Sequence, residues 1–150
     1  MKTPAAIFVE SGKPMVVDDI DLPDPGPTQV LVRHFATGVC HSQLHELHRP
    51  NPMVPLVLGH ESTGVVSGVG KDVTHVKEGD NVMVTWVQRN ATRNTPRPTP
   101  AHVRFRGQQI NFGAPAFTGT FTWSRDTVAD QQMVVPLEKG VATDVTSIIG

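Results

Sequence analysis

Hydrophobic positions in this chain recur every second residue over short stretches, and glycines and prolines, thirteen of each, divide the stretches from one another. A period of two marks strands with one buried face. In QVLVRHFATGVC (29–40), Val30 and Val32 fall on one face and Leu31, Arg33 and Phe35 on the other. NVMVTW (81–86) sets Val82, Val84 and Trp86 against Met83 and Thr85. AAIFVE, followed by the turn residues SGKP, and MVVDDIDLP, ending in the connector PDPGP, are further strand candidates. GVVSGVG carries glycines where a barrel needs bends or close backbone approach, and GTFTWSRDTVADQQMVV reads as a strand or hairpin. Helical pattern is scarce. SQLHELHR (42–49) predicts about two turns, with Ser42 as N-cap and Leu44 and Leu47 inward. TDVTSIIG starts a second helix capped by Thr143 or Asp144. Residues 88–111 read as one long polar loop. The predicted fold class is mainly β (α+β), in one domain over residues 1–150.

Composition narrows the class. With 38% hydrophobic and 18% charged residues the chain suits a soluble globular protein rather than a disordered one. No apolar run reaches bilayer length, and the N-terminal run AAIFV stops at Glu10, too short for a signal peptide. The expectation is a cytoplasmic protein with no membrane partner. Net charge is −1 but uneven: residues 81–125 hold six arginines and no acid. That basic middle lacks the interleaved aromatics or charge stripe of a nucleic-acid module, so it reads as a solvated surface with no nucleic-acid partner. A single cysteine excludes an internal disulfide.

That cysteine, Cys40, stands in GVCHSQLH (38–45) beside His41, Ser42 and His45; a second stretch, LGHESTGVV (58–66), adds His60 and Glu61. Thiolate, imidazole and carboxylate are the ligand types zinc takes. Cys40 and His60 lie on separate segments that a β fold can bring to one point. The second stretch is not the His-Glu-x-x-His of zinc proteases, because residue 64 is glycine.

GVCHSQLH, LGHESTGVV, SGVG and VKEGDNVMV, in this order, resemble the N-terminal GroES-like catalytic domain of the zinc-dependent medium-chain alcohol dehydrogenase family. The resemblance covers 1–87 and resumes at about 117–150, where GTF, QQMVVPLE and TDVTSIIG are similar to the family's exit strand and its run toward the nucleotide domain. It implies a partly open β-barrel and interconversion of an alcohol with an aldehyde or ketone, using NAD or NADP. It also implies roles. Cys40 and His60 match ligands of a catalytic zinc, and Glu61 a secondary or exchanging one. Ser42 matches the hydroxyl that hydrogen-bonds the substrate alcohol, and His45 the outer end of a proton relay. His41 matches the position facing the cofactor pyrophosphate, and Trp86 a side chain lining the substrate pocket. The chemistry is coherent: zinc acidifies a bound oxygen, a hydroxyl passes the proton outward to an imidazole, and hydride goes to a nicotinamide.

Three departures from the family pattern stand out. The four cysteines of a structural-zinc lobe fall on Asn90, Arg93, Pro96 and Arg104, so 88–111 is expected to be a metal-free, mobile lobe, leaving zinc only at the catalytic site. Gln43 stands where many members have an aspartate that orients the zinc-bound histidine. No Gly-x-Gly-x-x-Gly occurs, and the family's third ligand, a cysteine, follows an Ile-Gly pair like Ile149-Gly150. The chain therefore reads as truncated, with 140–150 running into a missing nucleotide-binding domain, inactive alone and homo-oligomeric at full length. Two rivals remain: a free-standing GroES-like metal-binding module without hydride transfer, in which His41, His45 and His48 share a helical face beside Cys40, and a zinc-free reductase, against which the retained Cys40 and His60 speak.

Overall fold

The computed structural model describes residues 1–113 and 118–149. Its elements are β1 (Lys2–Phe8), β2 (Val16–Asp21), β3 (Gln29–Thr37), α1 (Ser42–Leu47), β4 (Leu56–Val57), β5 (Ser62–Val69), β6 (Asn81–Val84), β7 (Arg104–Phe105), β8 (Gln108–Gln109), β9 (Asn111–Phe112), β10 (Asp126–Asp130), β11 (Val134–Pro136) and α2 (Thr143–Thr146). They form two sheets, ordered β8-β7-β2-β1-β4-β9 and β10-β3-β5-β6-β11. The mainly β class expected from the period of two is the fold observed.

The alternation does what it predicts. Val30, Val32, Val82 and Val84 are fully buried, while Phe35 is exposed. They join Val66, Met133 and Val134 in a core beneath the second sheet. The other core, the first in chain order, gathers Ala5, Ile7, Ile20, Val57, Phe121 and Val128. Residues 123–125 join the sheets. Trp123 O accepts from Ala6 N and Pro4 O accepts from Arg125 N on one side, while Arg125 O accepts from His34 N on the other. One segment is thus shared by β1 and β3, and the sheets wrap into a partly open barrel. Register shifts in β3 between Leu31/Val32 and His34/Ala36 supply curvature opposite β5. Gly64 sits at that bend because a Cβ there would run into Arg33 O and lie 2.7 Å from Val32 Cγ1.

Several expectations need correcting. Residues 88–111 are not one polar loop: β7, β8 and part of β9 lie inside it, and Ala101, Val103, Phe105 and Ile110 are buried in the first core. The run AHVRFR (101–106) does alternate, with Ala101, Val103 and Phe105 buried and His102, Arg104 and Arg106 exposed, but the arginines and prolines on either side give it the look of a loop. QQMVV does not turn back as a hairpin; β10 pairs with β3 and β11 with β6, at opposite edges of one sheet. β6 ends at Val84, so Trp86 is not a strand residue and is 44% exposed. On α1 the N-cap is His41, without a side-chain cap, and Gln43 rather than Leu44 is buried. The N-cap of α2 is Ala142, not Thr143 or Asp144. Residues 117 and 150, within the resemblance stated above, lie outside the described residues. No helix among the described residues is long and apolar enough to cross a membrane.

Candidate metal centre

The β3–β5 ladder ends at the pair Thr37↔Ser62, which sets the loop after β3 against the residues before β5. Cys40 lies in that loop; His60 and Glu61 are the two residues leading into β5. Local hydrogen bonds hold them together. The Glu61 carbonyl accepts from Gly38 N at 2.9 Å and from Thr37 Oγ1 at 2.9 Å, and the Gly38 carbonyl accepts from Trp123 Nε1 at 3.2 Å. Gly38 leaves the space for the Glu61 carboxylate: a Cβ would overlap Glu61 Oε2 and lie 3.1 Å from Cδ. Gly59 has φ +101°, and a Cβ there would sit 2.7 Å from the backbone nitrogens of Thr122 and Trp123. Both nitrogens donate to Leu58 O, so only glycine admits this crossing just before His60.

The ligand atoms of Cys40, His60 and Glu61 lie within 4.8 Å of one another, the one group of three metal-ligating side chains among the described residues. His60 Nε2 and Glu61 Oε1 are 3.5 Å apart. Ligands on a tetrahedral zinc, with bonds of about 2.0–2.3 Å, are separated by about 3.3–3.8 Å, so the donors need only small shifts to close on one ion. His60 and Glu61 are each 8% exposed. Burial pushes the His60 pKa down against the pull of the Glu61 carboxylate, which favours the neutral imidazole that ligates metals. Behind it, the buried Gln43 places Nε2 at 3.4 Å from His60 Nδ1, while Gln43 Oε1 finds no partner. Turning the amide over would let Oε1 accept from Nδ1–H, the tautomer that frees Nε2 for a metal. Donor chemistry, spacing and this orphaned oxygen together fit zinc.

Around the centre is a cavity of ≈ 190 Å³ whose walls include Ser42, Gln43, His45, Leu58, His60 and Thr120. Ser42 Oγ donates to Cys40 Sγ at 3.2 Å, so the hydroxyl serves the thiol and not the helix cap. The Trp86 ring meets that of His60 edge-on, with centroids 6.2 Å apart. His45 lines the cavity; His41 is exposed and outside it, its ring edge-on to His45 with centroids 5.8 Å apart. The fold therefore gathers Cys40, His60, Glu61 and Ser42, sets His45 on the cavity wall and Trp86 against the His60 ring but outside the cavity lining, and turns His41 outward. The threonines were not foreseen as site residues. Thr122 Oγ1 lies 2.8 Å from Thr37 Oγ1, and Thr120 lines the cavity. Their signal was the alternation TGTFT (118–122), which interleaves Phe121 in the core with threonines toward the site.

The family model for the alcohol dehydrogenase GroES-like domain matches residues 26–139. An alcohol dehydrogenase of Rhizobium meliloti is 45% identical over 126 residues, covering 81% of this chain and 36% of that protein. A putative alcohol dehydrogenase D of Mycobacterium tuberculosis is 37% identical, covering 94% and 44%. The chain thus spans less than half the length of these relatives. Among solved structures, an alcohol dehydrogenase zinc-binding domain protein from Burkholderia ambifaria superposes with TM-score 0.82 at 23% identity, over all of this chain and 45% of that one. Benzyl alcohol dehydrogenase from Acinetobacter calcoaceticus gives 0.78, also at 23% identity, over all of this chain and 45% of that one. These two likenesses establish the GroES-like barrel, and with the family match they lead to one conclusion: the chain belongs to the alcohol dehydrogenase GroES-like domain family.

Proposed function

We propose that the chain is the catalytic-domain portion of a zinc-dependent alcohol dehydrogenase that interconverts a small alcohol and an aldehyde or ketone with NAD or NADP. The observation that carries this is the convergence of Cys40, His60 and Glu61 beside a cavity walled by Ser42 and His45. Cys40 Sγ and His60 Nε2 hold the zinc, with Glu61 as an exchanging ligand. When bound, zinc supplies Lewis acidity to the substrate oxygen. Ser42 Oγ takes the hydroxyl proton, and His45, three positions along α1, receives it at the cavity edge. Leu58 bounds the space left for the substrate, with Trp86 against the His60 ring, and His41 meets the cofactor pyrophosphate. Since the 150 residues contain no Gly-x-Gly-x-x-Gly, hydride transfer needs a nucleotide-binding domain in addition, and these residues alone turn over negligibly. A cytoplasmic, homo-oligomeric enzyme without a structural zinc completes the proposal.

The test is metal content after dialysis. About one zinc per chain is expected, lost in Cys40→Ser and in His60→Gln. A full equivalent of zinc that survives dialysis in His60→Gln would overturn the assignment in favour of a tight local module on α1. NADH formation from alcohols by the 150 residues alone would overturn the requirement for a second domain.

A further inference from the structure

We propose that the exposed face of α1 is a second, weaker transition-metal site, formed by the imidazoles of His41 and His45, with His48 one turn further along the same face. It is distinct from the Cys40 centre and does not depend on the function proposed for that centre. Spacings of four and three residues put side chains on one helical face. His41 has helical dihedrals, φ −57° and ψ −31°, so the spacing holds across the helix boundary. The His41 and His45 rings already meet, with centroids 5.8 Å apart and planes at 76°. All three residues are exposed.

The ring nitrogens of these histidines, like those of the exposed His102, have no hydrogen-bonding protein partner among the described residues, and His41 and His45 are set apart because two such rings already meet. The rings of His34, His60 and His75 contact Ser124 O, Gln43 Nε2 and Val134 O respectively. Among the described residues, no protein atom hydrogen-bonds to the rings of His41, His45 or His48. An ion arriving there displaces only water, and small rotations of two exposed side chains bring two imidazole nitrogens onto it. Glu46, the acid of this helix, is paired with Arg49 at 3.6 Å. The ligand set is therefore imidazole completed by water, which selects Ni²⁺, Cu²⁺ or Zn²⁺ over Mg²⁺ or Ca²⁺. Because His45 also lines the cavity, an ion held on this face stands at its entrance.

The test is a calorimetric titration of Ni²⁺ into the Cys40→Ser chain, which lacks the thiolate centre. A binding isotherm is expected, weakened at least about tenfold by adding His41→Gln and His45→Gln, with Mg²⁺ silent throughout. In the unaltered chain, Ni²⁺ should broaden the imidazole proton signals of His41 and His45 in a nuclear magnetic resonance spectrum before those of His34 and His75. That measurement remains available if Cys40→Ser fails to fold. Absence of the isotherm, an isotherm unchanged by the two glutamines, or uniform broadening of all histidines would each overturn the proposal.

Discussion

Asp126→Asn should unfasten the barrel. The Asp126 side chain is 1% exposed, and its carboxylate ties three elements together. Oδ2 accepts from Thr3 Oγ1 on β1 at 2.7 Å and from Arg125 Nε at 2.9 Å, while Oδ1 accepts from Arg33 Nε on β3 at 3.1 Å. A buried hydrogen bond to a charged acceptor contributes about 1.5–3 kcal/mol. The two arginines are 56% and 50% exposed, so solvent screening leaves each pair about 0.2–1 kcal/mol. The amide keeps one acceptor but places an N–H where a guanidinium donates. The expected loss is about 3 kcal/mol, or about 6–12 °C in Tm for a domain of this length. Burial raises the Asp126 pKa, but the bonds from Thr3, Arg125 and Arg33 outweigh it and hold the carboxyl below its ordinary range. A depressed carboxylate pKa stabilises the fold above the unfolded value near 3.9, and the benefit is lost as pH falls through the folded pKa. Urea unfolding of both proteins, followed by tryptophan fluorescence, should therefore show a constant difference from about pH 7 to 5 that shrinks below about pH 4. A difference under about 0.5 kcal/mol at neutral pH, or one undiminished at pH 3, would refute the reasoning.

Two further outcomes follow from the packing. Gly38→Ala drives a methyl into Glu61 Oε2, so Glu61 must leave the ligand group; overpacking of this kind costs about 1–3 kcal/mol, and zinc affinity measured by competition with a chelator should fall. Unchanged affinity would mean that Glu61 takes no part in holding metal. Val103→Ala, in the segment that reads as polar loop, should cost about 2 kcal/mol in urea unfolding because Val103 is fully buried in the first core; a neutral result would place that core elsewhere.

The longest alternations, Val30/Val32 and Val82/Val84, were legible because a half-buried strand repeats over a few residues of its own chain. The donor types were legible too: one cysteine beside histidines, and a His-Glu pair, are statements about composition. The short strands β7 to β9 were not: β7 lies in AHVRFR, whose period of two is masked by the arginines and prolines around it, and β8 and β9, two residues each, carry no period of their own. The cap of α1 was misread for a related reason. A serine before a helix ordinarily caps it, and only the three-dimensional neighbourhood shows its hydroxyl donating to Cys40 Sγ.

By itself the sequence determined the mainly β class, the rough positions of its longer strands and the three ligand types, because each depends on residues near one another along the chain. Tertiary structure alone decided that Cys40, His60 and Glu61 meet, that Gln43 backs His60, and that His45 faces the cavity while His41 does not. Those outcomes depend on the register between β3 and β5, on the crossing of the chain at Gly59 over Thr122 and Trp123, and on which way α1 turns. Each is set by contacts between residues 17 to 85 positions apart, where steric fit and hydrogen bonding act and local pattern carries no information.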